Sequence, residues 1–186
     1  MSDAITVTTP LDDRIIDRLT AGVRVLISGI IYTARDAAHQ RLVELIDRGE
    51  KLPFEPQGQV IYYVGPAPPK PGMAVGAAGP TSSYRMDPYA PALLKLGLKA
   101  MIGKGQRSPE VLEALKRHRA VYLAATGGAG ALLAVSIKKA RLIAYEDLGP
   151  EAIRELTVEN FPVIVANDAF GGDIFRQGQS RYARPE

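Results

Sequence analysis

The chain has 186 residues, 46% apolar and 23% charged, which is the composition of a folded globular protein long enough to bury a sizeable core. Its 23 basic and 20 acidic residues leave a net charge of +3 with no Lys/Arg run and no aromatic set interleaved with one, which argues against a nucleic-acid binder. There is no cysteine, and only two histidines, His39 and His118, so disulfides, a thiol nucleophile and any cysteine-held zinc or iron–sulfur centre built by this chain alone are excluded.

The opening MSDAITVTTPLDD has neither a basic n-region nor an apolar h-region, and residues up to about 20 read as an edge strand or extended arm. Val23–Ser28 reads as a buried strand closed by Gly29, with Ile30–Thr33 still extended. From Ala34, the spacing of Ala38, Leu42, Leu45 and Ile46 predicts a helix that Gly49 stops. Val60–Val64 is a β-branched and aromatic strand, followed by a proline-stiffened loop, GPAPPKPG. Met73–Ala78 is a weak strand leading into the irregular GPTSSYRMDPYAP. A short helix over Pro91–Leu96 ends at Gly97, and Ala100–Ile102 is a strand running into GKGQRS. Ser108–Pro109 is an N-cap and N1 pair that starts a helix to about His118.

Ala120–Ala125 reads as a strand, TGGAGALL as a glycine turn entering a helix to about Lys138, and Arg141–Tyr145 as a strand. Pro150–Leu156 is read as a helix, Val163–Ala166 as a buried strand, and the polar tail after Phe175 as loose. Strands alternate with helices, so the expected fold is α/β with a largely parallel core sheet, in one domain over 1–186 with its core at about 10–175. The longest mostly apolar stretch, Val121–Val135, is too short to span a bilayer and holds three glycines; a soluble cytoplasmic protein with no membrane partner is expected.

Three irregular segments follow strands and carry cations: TARDAAH with Arg35, Asp36 and His39; GPTSSYRMD with Thr81, Ser82, Ser83, Arg85 and Asp87; and GKGQRS with Lys104 and Arg107. Beyond the carboxyl ends of parallel strands, such groups suit a carboxylate or phosphate. Each also has a plain structural reading. Asp36 fits a helix start, His39 a packed helix position, and the Ser/Thr run a turn that satisfies its own backbone. The glycines of TGGAGA suit a phosphate turn or close strand–helix packing alike.

Taken together and in order, SGIIYTARDAAHQRL (28–42), GPTSSYRMDPYAPALL (79–94), MIGKGQRS (101–108), ATGGAGALLAVSIKK (125–139) and DLGPEAIRELTVENFPVIVANDAFG (147–171) resemble the β subunit of class I fumarate hydratase and L-tartrate dehydratase. In larger relatives the same region is the C-terminal domain of a single chain. The resemblance implies a single swivelling β/β/α domain and a hydro-lyase acting on a four-carbon dicarboxylate, with fumarate/L-malate as the leading substrate pair and tartrate the second. It implies a 4Fe–4S cluster held by the cysteine-bearing α subunit of a hetero-oligomer, acting as a Lewis acid on the leaving hydroxyl. It also implies an apolar docking face through which the isolated chain would self-associate, and no activity for this chain alone.

By the same resemblance, Arg35 matches the arginine of an ARDxAH motif and would bind substrate or stabilise the base. Thr81 matches the threonine of a GPTT-like motif, the expected base at the carbon β to the hydroxyl. Arg85 of RMD and Lys104 of KGxRS would clamp substrate carboxylate. Ser82, Ser83 and Tyr84 depart from the family pattern, with Tyr84 expected to reshape the pocket, and NDAFGGD departs at the C-terminal edge. A non-catalytic anion-binding or regulatory module is the alternative of another class.

Overall fold

The computed structural model describes residues 4–183; the first three residues of the expected arm and the last three of the expected tail lie outside them. The strands are β1 (Ile5–Thr8), β2 (Arg24–Thr33), β3 (Val60–Tyr62), β4 (Ala100–Gly103), β5 (Val121–Ala124), β6 (Ile137–Ala144) and β7 (Ile153–Asn167). The helices are α1 (Asp13–Ile16), α2 (Asp36–Asp47), α3 (Ala90–Lys95), α4 (Pro109–His118), α5 (Gly130–Val135) and α6 (Ile174–Tyr182), with 3-10 turns at Ser83–Met86 and Glu146–Glu151.

The strand order is β1-β2-β3-β4-β5-β7-β6, parallel from β1 through β5. β7 is antiparallel to β5, β6 and β2. One edge of β2 carries β1 at Val25–Ser28 and then β3 at Tyr32–Thr33, while β7 runs along its other edge. The pairing from β2 through β3, β4, β5 and β7 therefore returns to β2.

The central parallel strands β3, β4 and β5 are apolar on both faces, as strands covered on both sides must be. Val60, Tyr62 and Val64 point into one core with Ile102, Leu123, Leu156, Phe161 and Val163. Ile61 and Tyr63 point the other way, into a second core under the helices with Leu42, Leu94, Met101 and Leu115. The largely parallel α/β sheet expected from the sequence is thus present, and it is extended by antiparallel strands.

Several local expectations are corrected. The helix read at Pro150–Leu156 is a 3-10 turn followed by the start of β7. Gly149, at φ 56°, and Pro150 break a helix there, and Leu156 and Val158 alternate into the first core. The helix read to Lys138 stops at Val135, because Ile137 is already paired with Val158. Met73–Ala78 forms no strand. The described part of the tail is helical: Asp173 caps α6 by accepting from the Phe175 and Arg176 amides at 2.9 and 3.3 Å. Among the described residues no helix is long and apolar enough to cross a membrane.

Tyr62 ties the first core to the loop that precedes Thr81. Its ring meets Phe161 edge-on at 5.1 Å, and its buried hydroxyl donates to the Ala78 carbonyl at 2.5 Å. Replacing it by phenylalanine leaves that acceptor without its partner. Y62F is expected to lower the urea midpoint by an amount worth about 1–3 kcal/mol with an unchanged slope.

Candidate functional site

The carboxyl ends of β2, β3 and β4 lie side by side, and the three segments singled out in the sequence leave from them. Arg35 occupies the N-cap position of α2, directly after β2, but its side chain makes no capping bond. The cap comes from Glu151, whose Oε2 accepts from the Ala37 amide at 3.0 Å across 114 residues of sequence. The other oxygen, Oε1, lies 3.3 Å from Arg35 Nη2. Arg35 Nη1 rests on the bare Cα of Gly65, where a Cβ would stand 2.6 Å away, so any side chain there would push the guanidinium aside.

Asp36 faces two guanidinium groups. Its Oδ1 is 2.8 Å from Arg85 Nε and its Oδ2 is 3.8 Å from Arg35 Nε. Arg35 Nε and Asp36 Oδ2 are both buried, and neither has a hydrogen-bond partner. Arg85 is 41% exposed.

Thr81 and Lys104 are joined through their backbones. The Thr81 amide donates to the Tyr63 carbonyl at 2.7 Å, the Lys104 amide to the Thr81 carbonyl at 3.2 Å, and the Ser83 amide to the Lys104 carbonyl at 2.8 Å. Residues 81–83 therefore act as a short filler between the ends of β3 and β4. Arg35 and Thr81 flank the same Tyr63–Gly65 stretch. The Lys104 stem passes over Gly127, and its ammonium is exposed with no ion pair among the described residues. The glycine turn after β5 serves close packing: a Cβ on Gly130 would sit 2.9 Å from the Gly79 nitrogen, and the Ala78 amide donates to the Gly130 carbonyl.

Residues behind this layer hold it. His39 is buried, and Nδ1–H donates to the Arg35 carbonyl at 2.9 Å. Burial drives its pKa down to about 4, so it is a neutral brace at pH 7 and not a proton carrier. Arg107 is buried against the rings of Tyr63 and Tyr122 and donates to Asp87 Oδ1 at 2.6 Å. Asp87 Oδ2 accepts from the Ser108 amide at 2.7 Å. This pair fastens the segment carrying Arg85 to the one carrying Lys104. The Tyr122 hydroxyl donates to the Gly105 carbonyl and meets Ser83 Oγ, both at 2.9 Å; burial pushes its pKa up.

Tyr84 points outward at 68% exposure. In the NDAFGGD stretch, Asp168 accepts from the Phe170, Gly172 and Ala21 amides, each at 2.8 Å, and so organises a turn. Glu151 was not visible as a functional residue in the sequence, since no local pattern connects it to Arg35. Asp36 was visible only as a favourable charge at a helix start. The chain has no thiolate, and among the described residues no three potential ligands converge as a metal site, so its donor set does not fit an iron–sulfur cluster.

The profile of the family described as "Fumarase C-terminus" matches residues 2–178. "Fumarate hydratase class I, aerobic" of Salmonella typhimurium is 43% identical over 84% of this chain, which spans only 27% of that protein. "Fumarate hydratase 2" of Leishmania major is 40% identical over 83% of this chain and 28% of its own length. "Putative L(+)-tartrate dehydratase subunit beta" of Methanocaldococcus jannaschii is 40% identical over 87% of this chain and 86% of its own length.

The buried neutral state of His39 makes stability pH-dependent. Its folded pKa of about 4 lies below the ordinary 6.5, so between these values the unfolded chain binds more protons. This contribution is complete above pH 6.5 and is lost as the pH falls toward 4. Between pH 7 and pH 4.5 the wild type is expected to lose about 2 kcal/mol more than H39Q, measured by urea unfolding at both pH values. Equal losses would contradict the assignment.

Proposed function

The chain belongs to the fumarase C-terminus family, and from that premise we propose that it is the β subunit of an iron–sulfur-dependent hydro-lyase that reversibly hydrates fumarate to L-malate. In this reading residues 1–186 form one swivelling β/β/α domain. A cysteine-bearing α subunit holds the 4Fe–4S cluster and completes the site in a hetero-oligomer. Exposed Leu132 and Val135 on α5, just beyond Gly130, suit a partner that covers the site.

One observation carries the reading: Arg35 and Arg85 share the Asp36 carboxylate, beside Thr81 and Lys104, which are hydrogen-bonded backbone to backbone. A four-carbon dicarboxylate brings two negative charges. Arg85 and Lys104 are the exposed cations, free on the solvent side to take a carboxylate, and a partner's surface would strengthen that grip by excluding water.

In the dehydration direction, the C–H bond at the carbon β to the hydroxyl breaks. Its electron pair becomes the new C=C bond, while the C–O pair departs with the hydroxyl. Thr81 is assigned the proton. A threonine hydroxyl is a weak base unless its alkoxide is stabilised, and Arg35, on the other flank of the β3 end, supplies positive charge for that. The L-tartrate dehydratase β subunit is the second reading, favoured by the archaeal relative of that name that matches over nearly its whole length.

The test is anaerobic purification of the native complex followed by assays with malate, fumarate and tartrate. A co-purifying cysteine-bearing chain with iron, and malate–fumarate interconversion, are expected. Turnover of tartrate alone favours the second reading. A lone chain that stays inactive with a supplied cluster-bearing partner overturns both in favour of an anion-binding module. In the active complex, R85K is expected to cut kcat/KM roughly 10- to 100-fold through loss of the guanidinium fork. T81V is expected to cut kcat by about 10²- to 10⁴-fold, and near-normal turnover would remove Thr81 as the base.

A further inference from the structure

We infer that Glu151 is a positioning residue for Arg35, an inference that rests on the role proposed above for Arg35. Its two carboxylate oxygens do separate jobs. Oε2 takes the Ala37 amide and closes the first turn of α2; Oε1 forms an ion pair with Arg35 Nη2 at 3.3 Å, which sets the side on which the guanidinium is held. Arg35 has little freedom elsewhere. Its Nη1 is against Gly65, and the Pro150 carbonyl lies on the same side, 3.3 Å from where a Gly65 Cβ would be. Both side chains are mostly buried, at 22% and 25% exposure, so water screens this pair less than a surface ion pair.

The turn that presents Glu151 is itself anchored. Arg41 grips Asp147 with two bonds of 2.9 and 2.5 Å, tying the turn to α2. Arg154 donates to the Gly149 and Ala152 carbonyls at 3.0 and 3.3 Å. Thr33 Oγ1, at the end of β2, donates to the Ala152 carbonyl at 3.1 Å and accepts from the Arg154 amide at 2.9 Å. Glu151 is therefore held by β2 and α2, the same two elements that hold Arg35. A carboxylate so placed sets the guanidinium within the fraction of an ångström that a transition-state contact needs.

E151Q separates the two jobs, because the amide oxygen still accepts from Ala37 while the charge facing Arg35 is gone. In the assembled enzyme, E151Q is expected to lower kcat about 10- to 100-fold with KM for the dicarboxylate within about threefold. In an Arg35→Met background it is expected to lower kcat no further, since what it positions has been removed. An equal further loss in that background, or unchanged kcat in E151Q itself, overturns the inference. Side-chain NMR of the isotopically labelled chain gives a readout apart from turnover. Slow rotation of the Arg35 guanidinium in the wild type, averaged in E151Q, is expected; free rotation in the wild type overturns the inference even if E151Q fails to fold. If the wild-type complex turns over none of the dicarboxylates, the proposed function fails, and the arginine spectra still decide the Glu151–Arg35 contact.

Discussion

Three cations at one end of a sheet must be held at fixed positions without being neutralised. Arg35, Arg85 and Lys104 face this constraint together, and two carboxylates meet it. Asp36 sits between the two guanidinium groups and Glu151 braces one of them from behind. These contacts hold the two arginines and leave Arg85 open to solvent, while Lys104 is held through its backbone bonds to Thr81 and Ser83 with its side chain exposed. The result is an excess of one positive charge among five side chains, which suits an anion without collapsing on itself in its absence.

The fold supplies the rigidity this arrangement needs. Parallel pairing brings the ends of β2, β3 and β4 to one rim. The return of β7 to β2 brings the Glu146–Glu151 turn back to that rim from late in the chain. Behind the rim, buried polar groups act as fasteners: Asp87 with Arg107, Tyr122 with Gly105 and Ser83, and His39 with the Arg35 carbonyl. Buried charge is costly unless paired, and Arg107 answers that cost with a carboxylate on its Nε and two aromatic rings against its guanidinium. Two loops carrying Arg85 and Lys104 thereby share one foundation.

Much of this was legible in the sequence where the signal is local. VIYYV reads as a strand from its β-branched and aromatic residues, Ser108–Pro109 as a helix start, and the cation-bearing segments as irregular stretches that follow strands. The four residues singled out there do cluster in pairs, Arg35 with Arg85 through Asp36, and Thr81 with Lys104 through the backbone. What failed was long-range. IRELTV alternates, yet its preceding Pro and acidic residues imitate a helix start, and only pairing with β2 and β6 makes it a strand. Ile137 belongs to β6 for the same reason. Glu151 lies in that misread segment, and nothing adjacent to it in sequence reveals that its partner is 116 positions earlier (151 minus 35).

The most direct test of this account is a structure of the proposed complex with a four-carbon dicarboxylate bound. The account predicts a substrate carboxylate within hydrogen-bonding distance of Arg85 and Lys104, with Arg35 still on Glu151 and Thr81 turned toward the reacting carbon. A dicarboxylate bound with no contact to Arg85 or Lys104 would contradict it.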